Sequence, residues 1–337
     1  MVAHPPDRVG PSAIVHVAPG PHLQDAAFTT RRMMADVLVG LAPVMAAAVA
    51  VFGWFAVMQV GICGLACLAA EYLFHTVMRR KPATLGDLSA VVTGAILGLS
   101  LPWSAPWYVG VIGSFAAIGF GKVVFGGLGM NLFNPAMVGR AFVMISFSVA
   151  LGAGAFVLPD APSVLSQATP LTVGKMTGEV TPLWPLFVGN VNGSLGETSA
   201  IACLLGGLWI LVRRAGTWDA PLAIVGTVAV LSAGAQLAGI HPSLTVGHHL
   251  LGGSLLFGAL FIATDPVTSP LTRSGRAVFG ILIGLFVMVI RLFSGYPEGV
   301  MFAVLLANAM VPLINRWTVP TPLGGPVPGP VQKGGGA

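Results

Sequence analysis

Three hydroxyls fall within seven residues in Ser166-Gln167-Ala168-Thr169-Pro170-Leu171-Thr172, and Lys175 follows closely. Hydroxyls at this spacing supply an acceptor for a phosphate ester, with a cation at hand to meet the phosphate charge. The setting makes the cluster informative. It lies in the one long stretch without membrane-type hydrophobicity between the first and last apolar segments. The plain alternative is a Ser/Thr-containing loop without chemistry, and residue types alone leave both readings open.

Two further places combine polar groups with a forced break in the chain. Asn131-Leu-Phe-Asn134-Pro135 follows the glycines Gly126, Gly127 and Gly129. A helix does not run through glycines and Asn-Pro, so a new helix is predicted to start there, with Asn134 as N-cap and Pro135 in its first turn. Free amides at such a start make an anion or cofactor site; the alternative is a turn with a good cap. In Thr264-Asp265-Pro266-Val267-Thr268 a carboxylate sits where an apolar segment ends, placed to bind a cation or to cap the next turn. Glu71 and His75 share a helical face at i, i+4, the spacing of a proton or ion relay, and an interfacial position would explain them equally.

Other polar residues have simpler readings. Glu197 is read as an acid favoured by the dipole at a helix start, and His248-His249 as surface histidines. Cys63 and Cys67 share a helical face. Without a nearby His, Asp or Glu they complete no metal site, and they read with Cys203 as small buried side chains. No Walker loop, dinucleotide fingerprint or nucleophile triad spacing is present, so redox chemistry would have to come from a bound cofactor.

What must position these groups is a membrane scaffold. The 337 residues are 55% hydrophobic and only 8% charged, and mean hydropathy is +0.88. Soluble domains carry about 25% charged residues. The net charge of +5 is dispersed along the chain in ones, twos and threes, which suits topology rather than nucleic acid. The first 30 residues are polar and hold five prolines, with no charged segment running into a short apolar core, so no removable signal peptide is expected.

Ten helices are predicted, near residues 36–55, 57–78, 88–101, 106–125, 135–153, 196–212, 220–239, 249–264, 276–294 and 299–315. With the N-terminus cytoplasmic, inner segments and helix ends hold 14 of the 16 Lys and Arg residues, leaving Lys175 and Arg291 outside. That split fits ten spans with both termini inside and residues 154–195 outside. Tryptophans such as Trp54, Trp107, Trp218 and Trp317 flank the spans as interface anchors.

A faint internal repeat accompanies the count. Lys122, Gly126 and Gly129 are echoed by Arg291, Gly295 and Gly299, and Gly94/Gly98/Pro102 by Ser254/Gly258/Pro266. Two five-helix halves must be inverted, because five is odd. The chain then divides into a cytoplasmic segment 1–30, a first half 31–153, an external segment 154–195, a second half 196–316 and a Pro- and Gly-rich tail 317–337, disordered by composition. This is an all-α polytopic membrane protein. Its symmetry alone would also suit a channel or uniporter for a small solute or ion, or a scaffold.

Over about residues 21–320 the chain resembles the D subunit of the Rnf electron-transport complex. It is more distantly similar to the B subunit of the sodium-translocating NADH:quinone reductase. The stretches that carry the likeness are Gly121-Lys-Val-Val-Phe-Gly-Gly-Leu-Gly-Met-Asn-Leu-Phe-Asn-Pro-Ala-Met-Val-Gly139, Phe261-Ile-Ala-Thr-Asp-Pro-Val-Thr268, Gly295-Tyr-Pro-Glu-Gly299 and Ala168-Thr-Pro-Leu171. The resemblance implies FMN joined by a phosphoester to Thr169, installed by a separate flavin transferase, with Ser166, Ala168, Pro170, Leu171 and Lys175 forming the attachment segment. The family pattern Asp-Gly-x-Ser/Thr-Gly-Ala-Thr reads here Ser163-Val-Leu-Ser-Gln-Ala-Thr169, with Asp160 three residues upstream. The resemblance also implies a second, non-covalent flavin such as riboflavin, expected first at Asn134, and assembly with the Rnf A, B, C, E and G subunits in the bacterial inner membrane. Electrons would pass between ferredoxin and NAD, coupled to Na+ or H+ movement, with Asp265 and Glu71 as ion-path candidates and the Thr169 segment periplasmic.

Overall fold

The computed structural model describes residues 29–78, 85–151, 169–241, 243–294 and 299–320. Ser166, Ala168 and Asp160 lie outside them, as do most of the two terminal segments and of the Gly295–Gly299 motif. Every named element among the described residues is helical. Five helices are long and apolar enough to cross a membrane: α1 (Thr30–Phe52), α2 (Trp54–Leu73, running on to Met78), α10 (Asp219–Leu237), α13 (Arg273–Phe293) and α14 (Val300–Thr318). The remaining apolar helices are shorter: α3 (Ser89–Ser100), α4 (Trp107–Ile118), α5 (Pro135–Ser146) with the turn α6 (Ser148–Leu151), and α9 (Ala200–Val212). Two short helices, α7 (Pro170–Met176) and α8 (Leu183–Val188), precede α9, and α11 (Val246–Leu251) and α12 (Leu255–Phe257) follow α10.

The predicted segments correspond to these elements, with two instructive differences. Helix α1 begins at Thr30, six residues before the predicted start at 36, because Thr29 accepts the Arg32 N–H and caps it. Hydropathy excludes Arg31 and Arg32, but a first turn outside the hydrocarbon holds charge freely. The predicted segment 249–264 is not one helix: α11 and α12 are separate, and α12 passes into a π-helical stretch, Gly258–Ile262.

Three such π-helical stretches occur among the described residues, at Phe74–Met78, Gly119–Val123 and Gly258–Ile262. The second and third extend a helix just before a break, and such insertions gather at functional positions. After the second of them Gly126, Gly127 and Gly129 take positive φ (131°, 110° and 89°), which ends the helix decisively. Asn134 then caps α5 by accepting the Met137 N–H, with Pro135 in the first turn, as predicted.

Packing repeats along the chain. Helix α2 packs on α3 and α4, and α4 on α5; likewise α10 packs on α11 and α13, and α13 on α14. Helix α1 crosses to α9, far along the sequence. Gly40 and Gly206 meet at that crossing, where a Cβ on Gly206 would run into the Gly40 carbonyl. Small residues at a crossing let helix backbones approach closely, the usual means of association without a hydrophobic drive. Asp36 and Arg213 pair at 3.0 Å beside it. Large apolar side chains, among them Leu65, Ile145, Val230 and Phe293, face outward, as lipid contact requires.

A 12-residue helix such as α3 is only about 18 Å long, against a hydrocarbon core of about 30 Å. The chain before α9 packs against the C-terminal end of this helix. Residues 191–199 are all buried, and the Leu195 and Gly196 N–H groups donate to the Leu101 and Leu99 carbonyls at 3.1 and 2.7 Å. Non-helical backbone at membrane depth is tolerated only when protein encloses it. The last part of the segment predicted to be external is thus built into the body of the protein.

Two readings are corrected. Glu197 does not start a helix; Ser199 caps α9 by accepting the Ala202 N–H, and Glu197 instead accepts the Ser194 N–H at 2.5 Å. Arg140 reaches the Ser100 carbonyl and Ser194 Oγ and so ties α5 to the same stretch. His248 and His249 are buried rather than superficial, 7% and 3% exposed. His248 closes a capping box with Thr245 and bonds the Thr181 carbonyl at 3.0 Å, tying α11 to the chain before α8.

Candidate functional site

The breaks at Asn134 and Asp265 come together, although 131 residues separate them in sequence. Asn134 Nδ2 stands 3.5 Å from Asp265 Oδ2. The Thr268 hydroxyl donates to the same oxygen at 3.0 Å, and the Val267 N–H donates to Asp265 Oδ1 at 3.1 Å. Asn308, wholly buried in α14, completes the junction: its Oδ1 accepts the Asn134 N–H at 3.1 Å and its Nδ2 donates to the Thr268 carbonyl at 3.0 Å. Asn308, one of two asparagines in the last span, was the sequence signal for this bridge. Asn308→Ala leaves both backbone groups short of these partners at about 1–3 kcal/mol each, so a clear fall in thermal stability in detergent is expected, measured by unfolding of the purified chain.

Beside this junction lies a cleft with about 650 Å³ of free space counted out to its mouth. Aliphatic side chains including Val37, Val92 and Ile96 line one part; Ser89, Lys122, Asn131, Asn134, Thr264 and Asp265 supply polar groups. Apolar walls with a few convergent polar groups are the general form of a small-molecule site. Asn131 is 6% exposed; its Nδ2 donates to the Phe133 carbonyl, while its Oδ1 has no hydrogen-bond partner among the described residues. A buried acceptor left open toward a cleft is suited to a ligand donor.

Glu71 joins this region through Lys122. The ammonium is 2.6 Å from Glu71 Oε1 and 2.6 Å from Ser89 Oγ. Ser89 Oγ in turn donates to Asp87 Oδ1 at 2.6 Å, and His75 Nε2 lies 4.0 Å from Glu71. Glu71 is wholly buried and Lys122 is 2% exposed. In the sequence Lys122 marks topology and the internal repeat, and a lone cation inside an apolar segment is also the signal for a functional position. Gly121 lets its π-helical stretch lie close against the start of α5, since a Cβ there would sit 2.7 Å from Pro135 Cα.

The hydroxyl cluster lies elsewhere. Thr169 stands at the N-cap of α7, with Pro170 in the first turn. Its side chain makes no cap bond; Oγ1 lies 2.7 Å from Thr172 Oγ1, and the two residues are 5% and 7% exposed. Thr169, Pro170 and Leu171 edge a narrow recess of about 260 Å³ with Asn192, Glu197, Leu251 and Gly253. Leu171 packs toward Gly252, where a Cβ would come within 3.3 Å. Lys175 is turned away from the hydroxyls. Its ammonium donates to the Arg291 carbonyl at 2.9 Å and to the Ser294 carbonyl, closing the C-terminal end of α13. Burial lowers its pKa from the ordinary lysine value. Arg291 extends the same linkage, donating to the carbonyls of His249 and Gly252 at 2.5 and 3.0 Å. A threonine hydroxyl free of backbone bonds at the edge of a recess fits an ester attachment, although the recess itself has room for little beyond the ester group.

Residues 16–324 match the family model described as the NQR2, RnfD, RnfE family. The chain is 39% identical, over 90% of its length and 93% of the relative's, to the D subunit of the Na(+)-translocating ferredoxin:NAD(+) oxidoreductase complex of Acetobacterium woodii. Identity is 41%, over 85% and 89%, to the D subunit of the ion-translocating oxidoreductase complex of Stutzerimonas stutzeri. It is 38%, over 92% and 96%, to the D subunit of the proton-translocating ferredoxin:NAD(+) oxidoreductase complex of Clostridium ljungdahlii. The breaks at Asn134 and Asp265, the polar cleft between them and a match along nearly the whole chain lead to one assignment: the chain belongs to the NQR2, RnfD, RnfE family.

Proposed function

We propose that this chain is the D-type membrane subunit of an ion-translocating ferredoxin:NAD+ oxidoreductase and works as a flavin carrier within that complex. The observation that carries the reading is 38–41% identity to the D-type subunits of such complexes across 85–92% of this chain. It favours a redox-driven pump over a channel or uniporter. The relatives' names include both Na+ and proton translocation, so the transported ion is Na+ or H+. The partners are the Rnf A, B, C, E and G subunits, with a flavin transferase for maturation, in the bacterial inner membrane.

The repeated packing supports ten spans in two inverted five-helix halves: α1 to α5 in the first, then α9, α10, the α11–α12 unit, α13 and α14 in the second. Both termini are then cytoplasmic and Thr169 periplasmic. Thr169 holds FMN through its hydroxyl, with Ser166, Ala168, Pro170 and Leu171 around it; Lys175 acts by docking α7 onto α13. A second, non-covalent flavin such as riboflavin occupies the cleft at Asn131 and Asn134, the open Oδ1 of Asn131 meeting a ring donor. A bound flavin would supply the one- and two-electron chemistry that the side chains lack. Asp265 and Glu71, each in a bonded network beside the cleft, are the ion-path candidates.

Two measurements test the proposal. Inverted membrane vesicles lacking this chain are expected to lose ion uptake driven by electron transfer between ferredoxin and NAD, and to regain it on complementation; uptake unaffected by the loss overturns the pump role. The chain purified from cells containing the transferase should fluoresce as a flavin after denaturing electrophoresis; a dark band overturns covalent attachment.

A further inference from the structure

From the placement of Lys122 we infer that it sets the electron affinity of the molecule held in the inner cleft, with Glu71 as the counterweight. The inference rests on the reading that a non-covalent flavin binds there. Lys122 is among the largest fully buried side chains, and it lies in the π-helical stretch Gly119–Val123. It lines the cleft together with Ser89, Asn131, Asn134 and Asp265, while Glu71, its ion-pair partner at 2.6 Å, does not. The cation is therefore on the cleft side of the pair and the anion is behind it.

A buried ion pair is weak support for a fold, because desolvating both charges offsets their attraction. Its asymmetric placement gives it another use. In a poorly screened interior a charge acts over longer range than in water. A flavin gains negative charge when electrons arrive ahead of protons, and fixed charges near its ring tune its electronics. The Lys122 ammonium favours the reduced form, and the carboxylate behind it limits that effect. Among the described residues, the other titratable groups around the cleft are Asp265, which lines it, Asp87 bonded to Ser89, and His75 beyond Glu71. Lys122 is on this account a positioning residue for charge, not one that reacts.

The test uses the full-length chain in detergent, in a Thr169→Val background so that only non-covalent flavin titrates. Flavin content is measured by release on denaturation, and the midpoint potential by spectroscopic redox titration. Lys122→Met should lower the midpoint by at least a tenfold change in the reduction equilibrium, about 30 mV for a two-electron couple. Glu71→Gln should raise it. The double variant Lys122→Met/Glu71→Gln removes the pair without leaving a buried charge and should also lie below the parent. It replaces the Lys122→Met measurement should that variant not accumulate. Retained flavin with unmoved midpoints in Glu71→Gln and the double variant would overturn the inference while leaving the flavin reading intact. A parent chain that releases no flavin would overturn both.

Discussion

Thr169→Val abolishes flavin fluorescence of the denatured chain, while Thr172→Val retains it. Valine keeps the branched shape of threonine and removes only the hydroxyl. The Thr169 side chain makes no cap bond, so α7 loses nothing at its start. The cost is confined to Thr172, whose Oγ1 gives up a 2.7 Å contact; losing one such buried bond is worth about 1–3 kcal/mol. A folded chain with a dark band is therefore the expected result, and accumulation on gel filtration separates it from misfolding. Fluorescence persisting in Thr169→Val would move the attachment to Ser166 or Thr172.

The second large effect is structural. Gly206→Val should prevent the chain from accumulating as a folded species, because its Cβ would meet the Gly40 carbonyl on α1 and lie 2.9 Å from the Phe261 ring. Overpacking commonly costs about 1–3 kcal/mol. Here the obstacle is backbone on a facing helix, which no rotamer change can clear, so the loss falls at or beyond the top of that range. Gly226→Val on α10 is the control, since a Cβ there meets nothing within 4 Å. Fluorescence-detected gel filtration of both variants checks the contrast. Equal recovery would mean that α1 and α9 do not touch at these glycines.

Much of this scaffold was legible in the residues. Hydrophobic length placed the helices, five of them long enough to span, and Gly126 to Pro135 announced the break with its Asn134 cap, because helix-breaking and capping are local chemistry. The meeting of Asn134 with Asp265 was not legible, since nothing local records a contact across 131 residues. Lys122 and Arg291 were read for topology and proved to be buried hubs, for their partners come from other helices. Residues 191–195 read as polar and loop-like, yet they and the four that follow are buried; hydropathy measures affinity for lipid and does not register enclosure by protein.

The crossing of α1 with α9 also bears on how the chain is made. From Gly40 to Gly206 there are 166 residues, and at ribosomal rates of about 5–20 residues per second the first helix precedes its partner by roughly 8–33 s. Through that interval the groove at Gly40 faces lipid or a borrowed neighbour, and Asp36 waits for Arg213. The segments that contain α1 and α9 thus cannot mature independently. Helix α1 gains this contact only once α9 has been made, and until then its Asp36 carboxylate lacks the Arg213 partner.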